Sequence, residues 1–136
     1  MPNQTTMPQV LWMLASDFKF MGRLEEALEA AGESVALMRD VVLDQPSTPS
    51  PDLALSLNNL SNHLSDLGHR EEALEAVREC VALYRDLAQD RPNMFNPDLA
   101  VTLNNLSDRL SELGHQEEAL EAMRECVAAR PDLARN

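Results

Sequence analysis

The sequence predicts an all-α fold: an α-solenoid of three stacked helix-turn-helix units, six helices in all. Three observations carry that expectation. A heptapeptide returns at a fixed interval, with LEEALEA beginning at Leu24, REEALEA at Arg70 and QEEALEA at Gln116, each 46 residues after the last. Such self-similarity marks a repeat architecture. Leucines flank these heptapeptides at three- and four-residue spacing, the period of one helical face. Aromatics make up only 4% of the chain and glycines number 4 in 136 residues, too few for the strands and hairpin turns of an all-β domain.

Other residues keep the same interval: Gly22, Gly68 and Gly114; Pro51 and Pro97; Cys80 and Cys126. Residues 51–90 and 97–136 align without gaps, with 28 identities in 40 positions. The units therefore run over about 5–50, 51–96 and 97–136, one repeat domain spanning 1–136. The first is the most divergent but holds the register.

The second unit shows the logic of each element. Ser50 can cap its first helix, Pro51 suits the first turn, and Asp52 faces the positive end of the helix dipole. Leu53, Leu57, Leu60, Leu64 and Leu67 form one apolar stripe. Gly68 ends the helix, because glycine tolerates the left-handed backbone of a C-terminal cap. A second helix begins near Arg70, with Ala73, Leu74, Val77, Cys80, Val81, Tyr84 and Leu87 inward. Glu71, Glu72, Glu75, Arg78 and Glu79 face water, with Glu75 and Arg78 spaced as an ion pair. Asp90-Arg91-Pro92 stops it, Asn93 to Asn96 form a link, and Asn96-Pro97-Asp98 repeats the capping arrangement. Such a hairpin cannot bury its stripe alone, so the units must stack. Small residues at Ser61, Ala73 and Cys80, and at Ser107, Ala119 and Cys126, allow close helix approach.

Charge and composition exclude several functions. The formal net charge is −12, which repels phosphate backbones and anionic bilayers, so neither nucleic acid nor membrane is an expected partner. No apolar run approaches the roughly 20 residues of a membrane span. The start, MPNQTTMPQVLWML, lacks the pattern of a signal peptide; the expected location is the cytoplasm. Cys80 and Cys126 sit at equivalent places in adjacent units, about 8–10 Å apart by helix packing, and read as buried free thiols. His63, His69 and His115 are too scattered for a metal site. The glutamates recur in every unit, as a solvated face would and a catalytic pair would not. No phosphate loop, nucleophile elbow or zinc spacing occurs, so neither enzymatic activity nor a cofactor is expected.

At these residues the sequence resembles the tetratricopeptide repeat family. That family's pattern of large and small positions is met by Leu57, Leu60, Ser61, Leu64, Gly68, Ala73, Val77 and Cys80. It is met again by Leu103, Leu106, Ser107, Leu110, Gly114, Ala119, Met123 and Cys126. In the first unit Leu11, Leu14, Ala15, Phe18, Gly22, Ala27, Ala31 and Ser34 match. The family's closing proline is present only as Pro131; Met38, Arg39, Tyr84 and Arg85 continue their helices instead. PDLALSLNNL and PDLAVTLNNL are similar to the extended repeats of kinesin light chains and to arrays in fungal and bacterial signalling proteins. The resemblance implies a right-handed superhelix whose concave groove holds a peptide segment of a partner.

By family position that groove is lined by Trp12, Ser16, Lys19 and Phe20 in the first unit. Asn58, Asn62, Ser65 and Asp66 follow in the second, then Asn104, Asp108, Ser111 and Glu112 in the third. The resemblance to kinesin light chains implies that Asn58 and Asn104 pair with a peptide backbone, since a side-chain amide both donates and accepts. Alternatively, one asparagine of each Asn-Asn pair bonds locally or to the neighbouring repeat. Trp12 and Phe20 form an aromatic anchor, or are covered by the N-terminal arm or by another copy. Lys19 is the one base among these residues, which argues against a carboxylate clamp and for a neutral or basic peptide. A second reading is self-association. Ala119, Met123, Val127 and the first-helix leucines of the third unit are expected to be partly uncovered. Pro131 to Asn136 are too few to cover them, so the chain is a piece of a longer array or its ends associate. Homo-oligomers would then form by end-to-end stacking, or by exchange of helices across the link at Pro46, Pro49 and Pro51.

Overall fold

The structure is a computed structural model that describes residues 7–44 and 50–130, with side chains from residue 22 onward. Five α-helices follow in order: α1 Met7–Asp44, α2 Pro51–Asp66, α3 Arg70–Asp90, α4 Pro92–Glu112 and α5 Gln116–Ala129. No strand occurs among the described residues. Each helix packs on its neighbours in sequence, so the fold is an all-α repeat solenoid built of consecutive hairpins.

The α2–α3 hairpin forms as its sequence dictates. Ser50 accepts a hydrogen bond from the Leu53 amide at 3.0 Å, and Pro51 opens the helix. At the far end the His69 amide returns to the Leu64 carbonyl at 2.8 Å, a reverse turn that needs a left-handed residue. Gly68 supplies it with φ +85, and Gly114 does the same between α4 and α5 with φ +82. Side chains then fasten the two arms. The Ser61 hydroxyl donates to the Ala73 carbonyl at 2.7 Å, and the Cys80 thiol to the Ala54 carbonyl at 3.1 Å. The α4–α5 hairpin repeats both bonds, from Ser107 to Ala119 at 3.0 Å and from Cys126 to Ala100 at 3.2 Å. Both thiols are free and buried, as expected.

The core lies between the two layers of helices. Leu57, Leu103, Leu110, Val77 and Val81 are all but fully buried, each contributing about 1.5–3 kcal/mol by leaving water. Two inter-repeat stitches run outside it. Asn105 donates to Asn58 at 2.9 Å, joining α4 to α2. Arg39–Glu79, Arg78–Glu118 and Arg85–Glu125 join α1 to α3 and α3 to α5. Arg78 thus reaches across to Glu118 rather than pairing with Glu75 on its own helix.

Two elements differ from expectation. The first unit is one continuous helix, α1, rather than a hairpin, so six expected helices become five among the described residues. Gly22 lies inside α1 and does not take a positive φ. The hydroxyl that clasps the later hairpins is missing here, because the residue at the position of Ser61 and Ser107 is Ala15. Glycine weakens a helix interior without forbidding it, and the helical hydrogen-bond ladder continues through Gly22.

The second difference is the link before the third unit, which is helical: α4 starts at Pro92 and carries Pro97 inside it. The carbonyl that Pro97 leaves without a donor belongs to Asn93, and both residues are exposed, so water can serve it. Phe95 is buried against Tyr84, ring centroids 6.4 Å apart, and fixes this added turn to α3.

At the end of the array Ala119 and the leucines of α4 are buried, contrary to the expectation that they lie partly bare, because α5 closes tightly on α4. Leu120, Met123 and Val127 are exposed. Pro46, Pro49 and residues 131–136 lie outside the described residues.

Candidate functional site

The candidate surface is the side of α2 and α4 that the hairpins do not use for packing. Helical spacing puts Asn58, Asn62 and Ser65 in one row on α2. Asn104, Asp108 and Ser111 form the equivalent row on α4, one repeat on. Asn58, Asn62 and Ser65 are half-buried; Asp66, Asn104, Asp108, Ser111 and Glu112 are exposed. Trp12, Ser16, Lys19 and Phe20 fall within α1, but their side chains lie outside the described residues.

The asparagine pairs divide their work. Asn58 accepts the hydrogen bond from Asn105, so its carbonyl oxygen is engaged with the neighbouring repeat and its amide N–H groups remain. Asn104 and Asn59 are exposed. The sequence offers both members of each pair as equals. What separates them is the offset between stacked repeats, which brings the first asparagine of one unit against the second of the next.

Two further side chains on these helices are notable, of which sequence reasoning weighed His63 only as a metal ligand and passed over Arg109. His63 and Arg109 occupy equivalent positions, 46 residues apart. The Arg109 guanidinium is largely covered, and one of its amino groups meets Glu112 at 3.0 Å. Its Nε and the Nδ1 of His63 are shielded from solvent and have no hydrogen-bond partner among the described residues. An alignment of the two units hides this, because His and Arg at matching positions read as a variable surface site. His69 lies 3.9 Å from Glu72 at the start of α3 and makes no cap hydrogen bond there.

The charge on this surface is acidic. Asp66, Asp108 and Glu112 stand along it, and Arg109 is turned to Glu112. On the opposite layer, hydrogen bonds to Glu79 and Glu125 raise the pKa of Arg39 and Arg85 above the usual guanidinium value. Burial holds the Cys80 thiol neutral, pushing it up to about 12. No described helix is long and apolar enough to cross a membrane.

Comparison with known families fits this geometry. Residues 4–45, which take in α1, are similar to the family model described as anaphase-promoting complex subunit 5. No curated protein matches the chain. Residues 53–92 and 99–130, the two complete hairpins and together just over half of the chain, match the tetratricopeptide repeat model. The chain belongs to the tetratricopeptide repeat family.

Proposed function

We propose that the chain is a non-catalytic protein-interaction module that holds a neutral or basic peptide segment along α2 and α4. The observation that carries this reading is the row of polar side chains left free once packing is satisfied. Asn104 and Asn62 can each present a donor and an acceptor to a peptide backbone. Asp66, Asp108 and Glu112 favour a positively charged guest and would repel an acidic tail. The similarity of the Asn-Asn pairs to those of kinesin light chains supports the same role for Asn104, while Asn58 keeps the register between repeats.

A peptide library displayed on phage, with lysine and arginine allowed at every position, tests the reading. Selected peptides should be neutral or basic. Asn104→Ala combined with Asp108→Ala should weaken binding at least tenfold, and added salt should weaken it for basic sequences. Unchanged affinity in the double variant, with the helical circular dichroism of the parent, would remove this surface from consideration.

A further inference from the structure

The three second helices can be read against one another. In α3, Ala73, Val77 and Cys80 face the first helix of their own hairpin, and all are fully buried. In α5 the equivalent Ala119 and Cys126 are buried, as are Ala76 and Ala122 at another shared position, while Met123, in the place of Val77, is 37% exposed. Their counterparts in α1 are Ala27, Ala30, Ala31 and Ser34, and none of them is buried. They line an open cleft of about 300 Å³ against Ser56, Asn59 and His63 of α2. Beside this row Val35 is buried, only 5% exposed, while Glu25, Glu29 and Glu33 on the far side face water. The cleft is therefore specific: it is the seat that a first helix occupies in each of the other hairpins.

The segment made for that seat is present in the chain. Leu11, Leu14, Ala15 and Phe18 stand in register with Leu57, Leu60, Ser61 and Leu64 of α2. Because α1 runs unbroken through Gly22, this segment points along the helix axis away from its own seat. Residue 15 lies about 18 Å along the axis from residue 27. The same chain cannot fill the cleft in this conformation, but a second copy can.

We infer that two copies of this chain exchange the first halves of their α1 helices, each seating residues 7–20 in the cleft of the other. In the closed hairpins Ser61 meets Ala73 and Ala54 meets Cys80, so paired positions sum to a constant. Moved one unit back, the same rule places Ala15 of the second copy beside Ala27 and its Pro8 beside Ser34. The two α1 helices then run antiparallel and cross near Met21 and Gly22, where a two-fold axis would lie. Each copy gives the other what it receives, so the exchange closes as a dimer and leaves no unfilled seat. A continuous helix with an empty native seat is the arrangement from which such an exchange follows.

The test is a cross-link in the full chain. In a Cys80→Ser, Cys126→Ser background, Ala15→Cys and Ala27→Cys are introduced together and oxidised under native conditions. Position 15 tolerates this, since serine fills it in the other two units. Exchange predicts a disulfide between chains and a species of twice 15.1 kDa on a non-reducing gel. A cross-link within one chain would show that Gly22 closes as an ordinary turn, and would overturn the inference. So would the absence of any cross-link together with a monomer by light scattering over a wide concentration series. Gly22→Ala, made with the native cysteines, is an independent check. It favours the continuous helix, so the dimer should persist; conversion to monomer counts against exchange.

Discussion

Arg85 on α3 holds Glu125 on α5 through two hydrogen bonds, 2.7 Å from Nε and 2.6 Å from an amino nitrogen. One repeat earlier, Arg39 on α1 holds Glu79 on α3 through two bonds of 2.6 and 2.7 Å. The fork of a guanidinium accepts one orientation of a carboxylate. Repeated at every junction, it fixes how far each second helix slides along the last.

These pairs are exposed, so their contribution is modest. A double-mutant cycle with Arg85→Ala and Glu125→Ala should give a coupling of about 0.5–1 kcal/mol, falling as salt is added. The single-bonded Arg78–Glu118 pair should give less. Coupling that is absent at low salt would show that side-chain ordering cancels the attraction.

Ser61 and Ser107 contribute from inside the fold. Each hydroxyl joins the two arms of its hairpin through a buried bond to a carbonyl. Ser61→Ala should lower the stability measured by urea unfolding by about 1 kcal/mol without changing the slope. A neutral result would mean that the turn hydrogen bonds alone set the hairpin.

How much of this is legible in the sequence depends on the range of the interaction. The stripes, the Ser50 cap and the turns at Gly68 and Gly114 rest on contacts within a few residues, and spacing alone places them. Gly22 shows where this stops. It keeps the repeat interval, yet it lies inside α1, and Ala15 stands where Ser61 and Ser107 clasp the later hairpins. Pro97 is similar, since the added turn of α4 is held by Phe95 on Tyr84 of another helix. The partners of Arg78 and Asn58 lie 40 and 47 residues away. Period identifies the face on which such a residue sits, but the stacking offset chooses what it meets.

The glycines allow that distinction to be measured. Gly68→Ala forces a Cβ into a left-handed backbone and should cost about 1–2 kcal/mol. At Gly22 a Cβ meets nothing within 4 Å. Gly22→Ala should therefore stabilise α1 by about 0.5–1 kcal/mol, seen as greater helicity and a higher Tm. Equal losses at the two positions would show that Gly22 is also a turn.

Cys80 links burial to alkaline stability. Desolvation raises its pKa from 9.0 to about 12 in the folded chain, because an ionised sulfur has no water there. The unfolded thiol ionises first, so as pH climbs the unfolded state loses its proton while the folded state retains it. The stabilisation is complete below pH 9 and is lost progressively as pH approaches 12. Tyr84, also raised to about 12 by burial, adds to the same decline. Cys80→Ser keeps a donor for the Ala54 carbonyl and removes the ionisation. Its Tm should fall less steeply than that of the parent over this range, with Tyr84 accounting for the remaining slope. At pH 8 a thiol reagent should label Cys80 only as fast as the hairpin opens; rapid labelling of the native chain would mean that water reaches the sulfur and that the pKa is not raised.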